Sequence, residues 1–160
     1  MAKAAKPIPE GYYSVTPTLT LDNAAQTIEW YKKALGAEEV SRSAGPDGKI
    51  MHAEIKIGNS RIMVNDAVMG TKGPKAIGGS PAGLWLFVEN SDALFKRAVA
   101  AGAKVQVPID DQFWGDRGGA IVDPEGFNWW IATRKEDLTQ TEVKQRAEEF
   151  FKQFAQPSSR

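Results

Sequence analysis

The 160-residue chain has no cysteine, a single histidine and no net charge, its 20 basic residues balancing 20 acidic ones. Without cysteine there is no disulfide framework, thiolate zinc site or cysteine nucleophile. Without a net field nothing draws the chain to nucleic acid or an acidic lipid surface, so the expected partner is a small molecule or another protein, with no nucleic acid and no membrane. No apolar run approaches the ~20 residues that span a bilayer. Residues 1–10 carry lysines and prolines and read as a flexible N-terminal tail, not a signal peptide, which leaves a cytoplasmic location. Nucleophile elbows, phosphate loops and paired-carboxylate signatures are missing too, and no glycine-rich cofactor loop follows a strand. What remains is a chain long enough to bury a core without staples.

Its pattern is one motif read twice. Ser14 to Leu21 alternate apolar and hydroxyl residues, the period of a half-buried strand. A helix follows, capped by Asp22 or Asn23, with Ala24, Ile28, Tyr31 and Leu35 at helical spacing and Gly36 as its stop. Glu38 to Ser43, Lys49 to Ile57 and Ser60 to Asn65 read as strands, the last two joined by a tight Gly58-Asn59 hairpin. The second half repeats this: strand Leu84 to Glu89, a helix capped by Asn90 or Ser91 and stopped at Gly102, then strands Lys104 to Ile109, Gly118 to Val122 and Phe127 to Thr133. Asp123 to Gly126 form the turn before the last strand. Thr139 and Glu142 make a capping box for a further helix whose apolar face holds Val143, Ala147, Phe150 and Phe154, up to Pro157.

The expected fold is α+β: two tandem βαβββ modules in one continuous curved mixed sheet forming a cup, helices on its convex side, plus an extra C-terminal amphipathic helix. The boundaries are a tail at 1–10, the first module at 11–66, a linker at 67–82, the second module at 83–134, and the C-terminal helix and tail at 135–160.

A two-residue hairpin pairs Ile57 with Ser60 and so sets which side chains share a face. His52, Glu54, Lys56, Arg61, Met63 and Asn65 fall on one side. Met51, Ala53, Ile55, Ile57, Ile62 and Val64 fall on the other, to pack on a helix. The same alternation puts Thr16 with Thr18, Trp85 with Phe87, and Asn128 with Trp130. Phe113, Trp114 and Arg117 belong to the loop Asp110 to Gly119, where a local Asp116 to Arg117 contact is expected.

WYKKALG (Trp30 to Gly36), GPDGKIMHAEIKIG (Gly45 to Gly58), DDQFWGDRGG (Asp110 to Gly119), DPEGFNWWIAT (Asp123 to Thr133) and the trailing RKEDL together resemble the vicinal oxygen chelate superfamily of glyoxalases, bleomycin-resistance proteins and extradiol dioxygenases. Within it they are similar to the 3-demethylubiquinone methyltransferase-like, glyoxalase-related branch. The resemblance spans about Pro9 to Leu138. It implies that catalytic members hold a divalent metal through His and Glu on the first and last strands of each module. The matching positions here are Thr16, Met63, Gly83 and Trp130, none a good ligand for such an ion.

The reading that follows is a protein that binds a flat or aromatic small molecule in a metal-free pocket, without a cofactor, similar in plan to the bleomycin-resistance proteins that sequester an antibiotic. Its ligand-binding residues are Thr16, Thr18, His52, Glu54, Met63, Asn65, Trp85, Phe87, Phe113, Trp114, Arg117, Asn128 and Trp130. The resemblance also implies a homodimer, and the aromatic C-terminal helix must dock on its own module or on a partner chain. Two alternatives stand beside it. One is a lyase or dioxygenase with an atypical divalent-metal site or a metal-free one, with His52 and Glu54 as catalytic candidates. The other is an interaction module with a vestigial pocket.

Overall fold

The structure, a computed structural model, describes residues 6–155, with side chains through Gln153, so residues 1–5, the Phe154 ring and Pro157 lie outside the described residues. The first module runs β1 (Thr18–Leu21), α1 (Ala24–Leu35), β2 (Glu38–Ala44), β3 (Ile50–Ile57), β4 (Ser60–Asp66). A short helix, α2 (Pro74–Ile77), lies in the linker. The second module runs β5 (Gly83–Phe87), α3 (Ser91–Ala100), β6 (Lys104–Asp111), β7 (Asp116–Val122), β8 (Asn128–Arg134), and α4 (Gln140–Ala155) follows. The side chains of Asn23 and Asn90 cap α1 and α3, accepting from the N–H groups of Gln26 and Ala93. Gly36 ends α1 in the left-handed conformation at φ 69° that suits glycine.

Each module is a mixed four-stranded sheet, ordered β1-β4-β3-β2 and β5-β8-β7-β6, with the first pair parallel and the others antiparallel. The register repeats: Thr18 faces Met63 in one sheet as Trp85 faces Trp130 in the other. Ile57 faces Ser60 and Glu54 faces Met63, as the Gly58-Asn59 turn requires. Ala53, Ile55, Ile57, Ile62 and Val64 are buried in a core with α1.

Three expectations are corrected. Hydrogen bonding gives two sheets, not one continuous sheet, with β1 and β5 each an edge strand. The first strand begins at Thr18, not Ser14, because Pro17 has no N–H to give the ladder, though its carbonyl still accepts from Met63 N–H at 2.9 Å. Met51 leaves the apolar face and is 41% exposed, beyond a register shift between β2 and β3 at Ser43/Ala44. Within the linker, Pro74 starts a helical turn that Gly78 closes at φ 85°.

The modules are joined along the helix layer and through the Asp123 to Gly126 turn. Helices α1 and α3 pack together, with Trp30 Nε1 donating to the Ala101 carbonyl at 2.8 Å. Asp123 is buried. Its Oδ1 accepts from the N–H groups of Glu125, Gly126 and Phe127, each at 2.9 Å, and its Oδ2 from Tyr31 Oη at 2.7 Å and Trp129 Nε1 at 2.9 Å. Glu125, also buried, reaches into the other module and accepts from the N–H of Asp22 (2.9 Å) and Asn23 (3.3 Å) and from Thr27 Oγ1 (2.8 Å). It places a negative charge where the α1 dipole favours one. Burial, then Asp123, raise the Tyr31 pKa well above the ordinary phenol range.

Helix α4 starts with the expected capping box, Thr139 N–H donating to Glu142 at 2.8 Å and Glu142 N–H to Thr139 Oγ1 at 3.3 Å. It docks on its own module: Phe113 of the β6–β7 loop meets Phe150 and Phe151 at ring centroid distances of 5.2 and 5.9 Å, and Arg146 pairs with Glu136.

Asp123→Ala leaves five donors without their acceptor and should cost about 3 kcal/mol or more, since each buried donor left unpaired costs about 1–3 kcal/mol. Tyr31→Phe, which removes one of the five, should cost about 1–2 kcal/mol. Urea denaturation of both variants checks the ranking.

Candidate functional site

The candidate residues gather on the open faces of the two sheets, the faces turned from α1 and α3. On the first, β3 and β4 bring His52, Glu54, Met63 and Asn65 together, and Thr18 joins them from β1. His52 Nε2 lies 3.4 Å from Glu54 Oε1, and Arg61 Nη1 lies 3.2 Å from Glu54 Oε2. Thr18 Oγ1 approaches the Met63 sulfur at 4.0 Å, and Asn65 Nδ2 donates to the Asp66 carbonyl at 2.8 Å. Thr16, ahead of the strand, lines a cavity of about 190 Å³ at the module junction, with Tyr12, Pro17, Arg61, Leu84 and Trp85.

Tyr12 had no place in the sequence reading, yet it covers this face: its ring stacks on Arg61, the guanidinium carbon 5.0 Å from the centroid. The Tyr12 hydroxyl is buried beside Glu54 with no partner in hydrogen-bond geometry, a close polar approach and not a completed bond. It is nonetheless the first cause holding Glu54 below the ordinary carboxylate range, with His52 and Arg61 adding to it. No periodic signal marks a residue that reaches the site from an irregular segment.

The second face is aromatic. Trp85 and Trp130, opposite each other on β5 and β8, stack with centroids 5.0 Å apart at 28°. Trp114 leans on both, at 6.1 and 5.8 Å, and Phe87 lies 6.1 Å from Trp85. Gly118 makes room for the Trp130 indole, since a Cβ there would sit 2.9 Å from Trp130 Nε1. Trp85 is 50% and Phe87 58% exposed. A groove of about 230 Å³ runs along Gly83, Trp85, Gln106, Ala120, Asn128 and Trp130.

Two loop candidates are placed elsewhere. Arg117 pairs with Asp92 of α3 at 2.7 and 2.8 Å and with Asp111 at 3.2 Å, which raise its pKa, Asp92 foremost. The expected Asp116 to Arg117 contact is not formed, because the two are consecutive on β7 and point to opposite faces. Asp116 turns instead to the aromatic face and accepts from Trp114 Nε1 at 2.9 Å. Phe113 belongs to the α4 contact and touches the cluster through Trp114 at 4.9 Å.

The divalent metal that the resemblance implies does not fit these residues. Thr16, Met63, Gly83 and Trp130 offer a hydroxyl, a thioether, no side chain and an indole. Among the described residues no three His, Asp or Glu side chains converge.

The model of the Glyoxalase/Bleomycin resistance protein/Dioxygenase superfamily matches residues 15–131. The chain belongs to this superfamily. An uncharacterised Mycobacterium bovis protein is 38% identical over 136 residues, covering 82% of this chain and 90% of that one. Among solved structures, TioX from Micromonospora sp. ML1 superposes with a TM-score of 0.62 at 24% identity, covering 79% of this chain and all 100% of that one. The Bacillus cereus PhnB protein, named for 3-demethylubiquinone-9 3-methyltransferase, gives 0.58 at 16% identity, covering 76% and 99%. These structural likenesses establish the tandem-module fold, and the PhnB-like branch is represented among them. No helix among the described residues is long and apolar enough to cross a membrane.

Because the folded pKa of Glu54 lies below its ordinary value of 4.5, its contacts stabilise the protein above that pH, and the contribution is lost as pH falls through the folded pKa. Glu54→Gln should therefore lower stability by about 0.5–1 kcal/mol at pH 7, the range for partly exposed ion pairs. The gap from the unchanged protein should close on acidification, as read from denaturant midpoints at a series of pH values.

Proposed function

We propose that this member of the superfamily binds a flat or partly aromatic small molecule, without metal or cofactor, on the aromatic face of its second module. The observation that carries the reading is the stacked Trp85–Trp130 pair with Trp114 against it, left half open beside a groove that can seat a ring. Indole faces hold planar ligands by stacking, and a few polar groups set orientation; Asn128 supplies one on this face. A groove of about 230 Å³ is small for a complete ligand site, which usually encloses roughly 300–1,000 Å³.

A second copy of the chain supplies the missing wall. Trp85 and Phe87 project from β5, an edge strand, and half-exposed aromatics on an edge are a surface that association covers. The partner's polar face, bearing His52, Glu54 and Asn65, complements the aromatic one. The protein is thus a homodimer that takes up a small molecule in the cytoplasm, with neither nucleic acid nor membrane as partner. Sequestration of an antibiotic, as in bleomycin-resistance proteins, is the role this plan serves.

One observation favours a second reading. His52 lies 3.4 Å from Glu54, a carboxylate able to orient the imidazole as a general base, and on that reading the protein is an enzyme.

A tryptophan-fluorescence screen of planar natural products and antibiotics tests the first reading, and Trp130→Ala should weaken any hit about tenfold or more. Unchanged binding in Trp130→Ala and Trp85→Ala, with product formation abolished by His52→Ala, would establish the second. Sedimentation at micromolar concentration should show a dimer, and monomer throughout removes the two-chain closure. Elemental analysis should find no stoichiometric metal, whereas close to one divalent ion per chain, lost in His52→Ala or Glu54→Ala, favours the enzyme.

A further inference from the structure

Asp116 is a carboxylate at 4% exposure, and one of its two oxygens has no partner. Oδ2 takes the Trp114 indole N–H, which fixes the carboxyl plane, while Oδ1 is buried and unpaired. The same face holds a second such atom of opposite kind: Trp130 Nε1 is buried and donates to nothing among the described residues. Unpaired buried groups are rare because each forfeits its hydrogen bonds to water, and two complementary ones on a single face are rarer.

Strand β7 relates them. Asp116 and Gly118 are two residues apart and share a face, and the Trp130 indole nitrogen overlies Gly118, within 2.9 Å of where a Cβ would stand. The indole N–H does not donate to the carboxylate, so both atoms on this face are left for a small polar edge. Trp114 adjoins both residues: its ring lies 5.8 Å from that of Trp130, its nitrogen holds Asp116, and it belongs to the β6–β7 loop.

We propose that Asp116 Oδ1 and Trp130 Nε1 recognise the ligand's edge, and that this edge is an N–H next to a C=O, the lactam or cis-amide edge of a planar heterocycle. The proposal rests on the small-molecule reading above and names the ligand class for that site. The carboxylate oxygen accepts the ligand N–H and the indole N–H donates to its carbonyl, while the stacked indoles require the ring to be flat. A hydrocarbon leaves both protein groups unpaired, and a group with donors alone, such as an ammonium, leaves the indole N–H facing another donor. The lactam edge satisfies both.

The test uses three probes of like shape: 2-quinolone, N-methyl-2-quinolone and naphthalene. In calorimetric titrations of the intact protein, 2-quinolone should bind at least tenfold more tightly than the other two. It should also shift one indole N–H resonance, identified as that of Trp130 by its loss in Trp130→Phe. In Asp116→Asn the preference for 2-quinolone over N-methyl-2-quinolone should fall to within about threefold, with naphthalene binding unchanged. Should Asp116→Asn fail to fold, the wild-type ratio and the Trp130 resonance still decide. Equal affinity for the three probes, or a preference that survives Asp116→Asn, overturns the lactam assignment and leaves the aromatic site standing. Binding of none of the three overturns both.

Discussion

A carboxylate without water persists in a protein interior when enough donors converge on it, and Asp123 collects five. Three come from its own turn, one from Trp129 and one from Tyr31 in the other module. The same turn carries Glu125 to the start of α1, where three further donors meet it. The turn before β8 is therefore not a passive connector. It joins two modules whose sheets share no hydrogen bonds, and it sets where β8 emerges.

What β8 carries depends on that placement. Trp129 points inward and completes the Asp123 network, so Trp130, the next residue, must face outward and stack on Trp85. One position on the strand secures the core and its neighbour floors the candidate site. Gly118 across the sheet accommodates the indole, and Trp114, tied to Asp116, leans over it. A strand that welds the modules thus holds the aromatic face rigidly, as a site that binds by shape requires.

The two open faces differ in chemistry for reasons visible in the repeat. Positions that are equivalent by register hold Thr18 and Met63 in the first module and Trp85 and Trp130 in the second. Duplication kept the backbone and let the faces diverge, one polar with a His52–Glu54–Arg61 chain of contacts, the other built of indoles. The positions matching the superfamily's metal ligands, Thr16, Met63, Gly83 and Trp130, are poor donors for a divalent ion, so superfamily membership does not by itself assign metal chemistry here.

Local rules made much of this legible. A cap at Asp22 or Asn23 and another at Asn90 or Ser91, the Gly36 stop, the Gly58-Asn59 hairpin and the Thr139–Glu142 box act within a few residues, so the sequence by itself determined the two βαβββ units, the register of β3 on β4, and the faces shared by His52 with Glu54 and by Asn128 with Trp130. It also excluded thiolate chemistry outright. Contacts over long separations were decided by the tertiary structure alone. Asp123 and Glu125 meet partners about a hundred residues earlier in the chain, and as written they are simply polar turn residues. Tyr12 reaches Arg61 from an irregular segment with no period to read. Asp116 looked like a loop residue bound to Arg117 because β7 starts two residues sooner than its apolar pattern suggests, and on a strand those two residues send an adjacent pair to opposite faces. Pattern reports which side chains lie together along one element. Which elements meet, and so which buried atoms are left without a partner, is set by packing.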